Sequence, residues 1–230
     1  MKQDKRSLTE RLIRRIYYKY YARNLLYELQ IRARSGSADY VEAHMTEAVI
    51  IERHAKILRY GIEISPSEGL YLEFGVATGN TITALADALG PDRVIHGFDS
   101  FEGLPENWTG HVEQLGSFGR DGELPKVPAN AILHQGLFDE TVPAFAAAHE
   151  GAVAFLHMDC DLYSSTKTVL SALGDRIVSG SVLLFDEYFN YPNWRNHEFK
   201  AWQEFVAARD LTYDYLAFTA QEGRVLVKVR

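Results

Sequence analysis

The sequence predicts an α/β chain built on an open, doubly wound and mostly parallel sheet of seven strands. A C-terminal antiparallel hairpin closes the sheet, and a helical arm precedes it. Short apolar stretches of strand length alternate with longer helical runs. Most of those strands end on an acid or a glycine, as in sheets that bind ligands at their carboxyl ends. The last two strand-like stretches flank Gln221-Glu222-Gly223, a hairpin turn. With 230 residues and 47% hydrophobic content, the chain can bury the core of one such domain plus an appended segment.

In order, Leu8 to Ile31 places Leu12, Ile13, Ile16, Tyr17, Tyr20, Leu25 and Leu26 at helical spacing. Arg34 to Asp39 interrupts the pattern with glycine and serines and predicts a turn or linker. A second helix is expected from about Tyr40 to Tyr60, ending near Gly61. Pro66-Ser67-Glu68-Gly69 then turns into the first strand, Tyr71 to Phe74. The chain is thereby divided into an arm or lid, 1–64, and a ligand-binding domain, 65–230.

Gly75-Val76-Ala77-Thr78-Gly79 opens directly onto the helical run Ile82 to Leu89, with Asn80 or Thr81 as its cap. A strand, a glycine turn and a helix N-terminus make a corner suited to a nucleotide-like ligand. The loop is neither G-x-G-x-x-G nor a P-loop, so a dinucleotide or triphosphate site is not written here. Glu73 at the strand end would repel a pyrophosphate but could accept from a cationic ligand. The second strand, Arg93 to Asp99, brings Asp99 beside the loop, where a ribose-binding acid belongs.

Ser100 to Pro128 is too long and aromatic for simple filler and is expected to be a binding loop. Strands follow at Ala131 to Gly136, Ala152 to Met158 and Ser181 to Phe185. Helices are expected from Leu137, from Ser164 to Val178 with a serine cap, and from Trp194 to Arg209. Thr212 to Thr219 and Arg224 to Val229 form the hairpin at the sheet edge.

Asp159-Cys160-Asp161 and Asp186-Glu187 leave successive strands on the same rim. Asp159, Asp186 and Glu187 converging there would repel one another without a cation, and all-oxygen donors favour Mg²⁺ over zinc. Asp161 is a further ligand, a base or a cap. Tyr188, Tyr191 and Trp194 would then form an aromatic wall for a sugar ring, or serve as core under a loop. His96, His134 and His157 read as core histidines, and no Cys/His spacing supports zinc. Cys160 has no evident partner base.

Residues 1–34 hold ten Lys/Arg against three acids, leaving fourteen of the 24 bases and twenty-eight of the 31 acids for the rest. An acidic body argues against a nucleic-acid substrate. The basic head is expected to be solvated or packed on a partner. A single cysteine fits the reducing cytoplasm, and no apolar run is long enough to span a bilayer.

Four motifs in order resemble the macrocin/mycinamicin-type O-methyltransferases, class I S-adenosylmethionine (SAM) enzymes with a Rossmann-like fold that methylate sugar hydroxyls of natural products. They are Leu72 to Gly79, Gly97 to Pro105, Gly136 to Pro143 and Asp159 to Thr166, and the likeness covers about residues 65–205. The resemblance implies SAM in the glycine corner. Glu73, Phe74, Gly75, Thr78, Gly79, Asn80 and Thr81 would hold its methionine end, and Asp99 with Ser100 its ribose. Ser117, Gly136 and Phe138 would lie near adenine. It also implies Mg²⁺ on Asp159, Asp186 and Glu187, proton removal by Asp159 or Asp161, and Glu102 with the aromatic wall near the acceptor. The family's paired Asp-Asp is Asp186-Glu187 here. The lysine of catechol-type enzymes is replaced by Leu162. A nicotinamide-dependent oxidoreductase and a non-catalytic SAM-binding scaffold are the alternatives. A homodimer or higher assembly is expected through the arm.

Overall fold

The computed structural model describes residues 7–230; the first six residues of the expected arm lie outside it. Helix α1 (Leu8–Tyr20) starts with a capping box, in which the Ser7 hydroxyl accepts from Glu10 N–H and the Glu10 carboxylate accepts from Ser7 N–H. None of its residues is buried. Helix α2 (Leu25–His44) is capped by Asn24, whose Oδ1 accepts from Tyr27 N–H.

The turn expected at Arg34 to Asp39 does not form, because α2 runs straight through it. The same small residues that weaken the helix locally let it approach the body. Ser37 Oγ donates to Ala33 O at 2.8 Å and accepts from Asn190 N–H at 2.9 Å. A side chain on Gly36 would press on the Arg195 guanidinium. The helix expected over Tyr40 to Tyr60 is instead split. Strand β1 (Val49–Ile50) pairs parallel to a late strand, and helix α3 (His54–Ile64) follows.

The core sheet comprises β2 (Leu70–Phe74), β3 (Ile95–Asp99), β4 (Ala131–Gln135), β5 (Val153–Met158) and β6 (Val182–Phe185), with the hairpin strands β7 (Tyr213–Phe218) and β8 (Val225–Val229). Its order is β1-β7-β8-β6-β5-β2-β3-β4. The sheet therefore has eight strands, the seven expected and the short β1. The C-terminal hairpin forms antiparallel as expected, with β8 between β6 and β7, but it is not at the sheet edge, which β1 takes beyond β7. Helices α4 (Asn80–Leu89), α5 (Phe138–Ala148), α6 (Tyr163–Leu173) and α7 (Glu198–Ala208) complete the layers.

Strand alternation divides the core into two. Leu72, Phe74, Leu156, Met158, Leu183 and Phe185 pack with Val142, Val169 and Trp202 from α5, α6 and α7. Tyr71, Phe155, Leu184 and Leu226 pack with Ile57 and Leu58 of α3 and Ile82 and Leu85 of α4. Connectivity runs outward in both directions from the adjacent strands β2 and β5, so the crevice at their carboxyl ends is the topological switch point.

Gly75 makes that crevice possible. At φ 93° its missing Cβ would lie 1.7 Å from the Asp159 carbonyl oxygen. Gly75→Ala is expected to cost about 3 kcal/mol or more, read as a drop in the denaturant midpoint.

His96 packs against Phe145, His134 and His149, with its Nδ1 3.0 Å from His134 Nε2. Burial and the neighbouring imidazoles lower its pKa to about 4. The unfolded chain therefore takes up a proton first as pH falls. Stability is full above about pH 6.5 and lost between there and about pH 4. Urea unfolding at pH 7 and pH 5 should show a loss that His96→Asn reduces by on the order of 1 kcal/mol.

Candidate active site

A cavity of about 990 Å³ opens at the switch point. The glycine corner supplies Gly75, Val76, Ala77, Thr78, Asn80 and Thr81 to its wall. Gly79 itself is the N-cap of α4, with φ 80° and no side-chain cap, so neither Asn80 nor Thr81 caps the helix. Ser164 and Ser165 are not caps either, since Leu162 occupies that position for α6. Both serines instead line the cavity, and the Ser164 hydroxyl donates to Glu106 at 2.5 Å.

Asp99 both braces the corner and faces the cavity. Its Oδ2 accepts the Val76 and Ala77 N–H groups at 2.8 Å each, and Oδ1 accepts Phe101 N–H at 2.7 Å. A carboxylate has about four lone-pair sites, so capacity remains for a ligand hydroxyl. Ser100, Gly136 and Phe138 also line the wall. Ser117 does not; its hydroxyl accepts Gln114 N–H within the long loop, and Phe118 takes the place at the cavity. Gly103, Leu104 and Glu106 line it where Glu102 does not.

Glu73 and Phe74 lie beneath the wall, not in it. Phe74 is core, stacked on Phe98. Glu73 pairs across the sheet with His157, and the register sets their side chains together on the α3 face. His157 Nδ1 is 3.0 Å from Glu73 Oε1, and its Nε2 is 3.4 Å from Asp186 Oδ1. Arg224 closes the chain, with Nε and Nη2 donating to the two Asp186 oxygens at 2.5 and 3.1 Å. Burial alone would deprotonate His157, but hydrogen bonds to Asp186 and Glu73 outweigh it and raise its pKa to about 10. Asp186 is held at about 2 despite burial, by His157 and Arg224.

The expected ligand trio is thus divided. Asp159 and Glu187 line the cavity with Asp161, while Asp186 turns under it toward Arg224. Among the described residues, the groups whose ligand atoms lie within 4.8 Å of one another are His54–His157–Asp186 and Glu73–His157–Asp159. Burial and the charges of their neighbours raise the pKa of the three cavity acids, Asp161 to about 7 and Glu187 to about 9.

Tyr188, Tyr191 and Trp194 are buried and do not line the cavity. They belong to an aromatic core in which Tyr188 meets Tyr215 and Gln203 by hydrogen bonds, Trp194 packs on Tyr40 and Phe199, and Tyr191 abuts Trp108. The aromatic surface on the cavity comes from Trp108 and His111 of the long loop, stacked at 4.1 Å, and from Phe118. His54 also faces it, kept neutral by burial and the Arg224 charge. Trp108, His111 and Phe118 belong to the aromatic Ser100 to Pro128 loop, whereas His54, at the start of α3, carries no comparable signal in the sequence.

A family model described as a methyltransferase domain matches residues 72–188, just over half the chain. The chain belongs to this methyltransferase family. Among solved structures, the calicheamicin methyltransferase CalS11 is similar, with a TM-score of 0.59 and 21% identity over 96% of this chain and 90% of its own. The O-methyltransferase NovP gives 0.55 and 23% over 76% and 78%. An O-methyltransferase from Bacillus cereus in complex with SAH gives 0.54 and 13% over 96% and 97%. At these identities the likeness is one of fold. A search of curated proteins finds no match. Among the described residues, no helix of this methyltransferase is long and apolar enough to cross a membrane.

Arg224→Met would leave the buried Asp186 charge with only the imidazoles of His157 and His54 beside it. It is expected to cost about 3 kcal/mol, and Asp186→Asn in the same chain should recover much of that. Equal losses in the single and double variants would show that the pair is not the source.

Proposed function

We propose that this chain is a SAM-dependent O-methyltransferase acting on a hydroxyl of a sugar-containing small molecule. The observation that carries the reading is one cavity lined both by the glycine corner with Asp99 and by the acids Asp159, Asp161 and Glu187. The corner offers backbone without side chains, an α-helix N-terminus and an acid with spare lone pairs. That chemistry suits a nucleoside with a cationic tail. When bound, SAM supplies a methyl group on a sulfonium that becomes a neutral thioether as the acceptor oxygen attacks.

The chain's own residues supply orientation and a proton sink. Asp99 takes ribose hydroxyls, and the Gly75 to Thr81 backbone takes the methionine end. Asp159 or Asp161 removes the proton of the acceptor hydroxyl, and Trp108 with Phe118 keeps water off the acceptor side. Mg²⁺ fits in part: it is commonly held by one or two carboxylates plus water and substrate oxygens, and Asp159 and Glu187 are two that line the cavity. There it would polarise the acceptor hydroxyl. Asp186, already paired with Arg224, is no part of that set. CalS11 is described as a TDP-rhamnose 3′-O-methyltransferase, and such a sugar is the acceptor class to screen first.

Residues 1–64 act, in this reading, as an arm that joins copies of the chain. Leu12, Ile13, Ile16 and Leu25 are exposed on a basic arm, while the body is acidic. Deleting residues 1–24 should lower the mass measured by sedimentation, and an unchanged mass would remove this part of the proposal.

Calorimetric titration with SAM and with NAD⁺ tests the core of the reading. SAM should bind, NAD⁺ should not, and Asp99→Asn should weaken SAM about tenfold through lost ribose contacts. NAD⁺ binding without SAM binding would overturn it.

A further inference from the structure

One buried carboxylate joins the two acid-bearing loops of the cavity. Glu198 opens α7 and is fully buried. Its Oε1 accepts Asp161 N–H at 3.3 Å, and its Oε2 accepts Glu187 N–H at 3.1 Å. The first amide belongs to the loop leaving β5 and the second to the loop leaving β6. Neither has another hydrogen-bond partner among the described residues.

Three features set this apart from ordinary core packing. Glu198 makes no salt bridge among the described residues, so an acid side chain has been buried without a cation, a costly choice that an apolar side chain would avoid. Both of its oxygens are used, each on a different loop. Asp161 also holds φ 64°, a left-handed backbone that a non-glycine residue keeps when its surroundings fix it.

We propose that Glu198 is a positioning residue: it ties the Asp161 and Glu187 loops at one spacing so that their acids face the same cavity. This rests on the reading of that cavity as the methyl-transfer site. Glu198 does not itself line the cavity. It acts through the backbone of two residues that do line the cavity.

The test is amide hydrogen exchange on the full chain, comparing wild type with Glu198→Gln and Glu198→Ala, alongside calorimetric binding of SAM. The alanine variant should exchange about tenfold faster at 159–163 and 186–189, with β2 and β3 unchanged. Glutamine keeps one oxygen but turns an amide donor toward the other N–H. It should release one loop and hold the other, and it decides the matter if alanine does not fold. SAM affinity should stay within about twofold of wild type, since the glycine corner and Asp99 are untouched. Unchanged exchange in both loops would overturn the proposal. So would protection lost evenly across the sheet, which would mark Glu198 as a plain core residue. Failure of the wild type to bind SAM would count against the methyltransferase reading, and the clamp would still be judged by exchange.

Discussion

His157 sits between two acids in the least solvated part of the sheet, and the crevice depends on that arrangement. Glu73, His157 and Asp186 lie at the ends of three adjacent strands, β2, β5 and β6, and Arg224 immediately precedes the antiparallel strand β8 beside β6. Buried carboxylates left alone would take up protons or pull the strand ends apart. A protonated imidazole and a guanidinium placed between and beside them turn that repulsion into a lateral tie. The insertion of β8 next to β6 is what delivers Arg224, so the hairpin topology and the charge balance of the site are one design. Above this tie, the Gly75 turn meets the Asp159 carbonyl without an intervening side chain, and the crevice can be narrow at its floor.

Strand alternation gives two neighbouring acids separate tasks. Asp186 continues the face of Leu184 and joins the buried chain under α3, whereas Glu187 reaches the cavity. Glu73 and Gly75 share one parity, and position separates them: Glu73 lies within β2 opposite His157, whereas Gly75 follows the end of the strand and lines the cavity. An acid at the end of a parallel strand is therefore insufficient to name a ligand-binding residue. Its parity and its neighbours across the sheet decide whether it faces cation or cavity.

That distinction marks what was legible in the sequence. The sheet was, because apolar strands, glycine stops and helical spacing are local signals, and so was the corner with Asp99. The arm was misread at Arg34 to Asp39, since small residues break a helix in isolation but here are its contact surface against Asn190 and Arg195. Strand β1 is only two residues long and exists through its pairing with β7. At the site, the sequence located the acids but not their partners: Arg224, His54 and Glu198 act from far along the chain. The aromatic run at Tyr188 to Trp194 had two open readings, and its mutual contacts with Tyr40, Phe199 and Tyr215 make it core.

The two halves of the cavity differ in how they are built, and this bears on what each recognises. The glycine-corner half rests on β2, β3 and α4, so its geometry is set by the sheet and its buried tie. The opposite half is largely loop, from Gly103 through Phe118, stitched to α6 by Glu106 and Ser164 and folded on itself by backbone bonds such as Leu104 N–H to Ser117 O at 2.9 Å. Such a wall can change its side chains without disturbing the strands beneath it. In the proposed function, cofactor binding would thus be tied to the fold, and the choice of acceptor would fall to a segment that the fold leaves free to vary. Glu198, at the start of α7, bonds the backbone of the loops after β5 and β6, so the acids Asp161 and Glu187 are tied to each other and not to the variable loop.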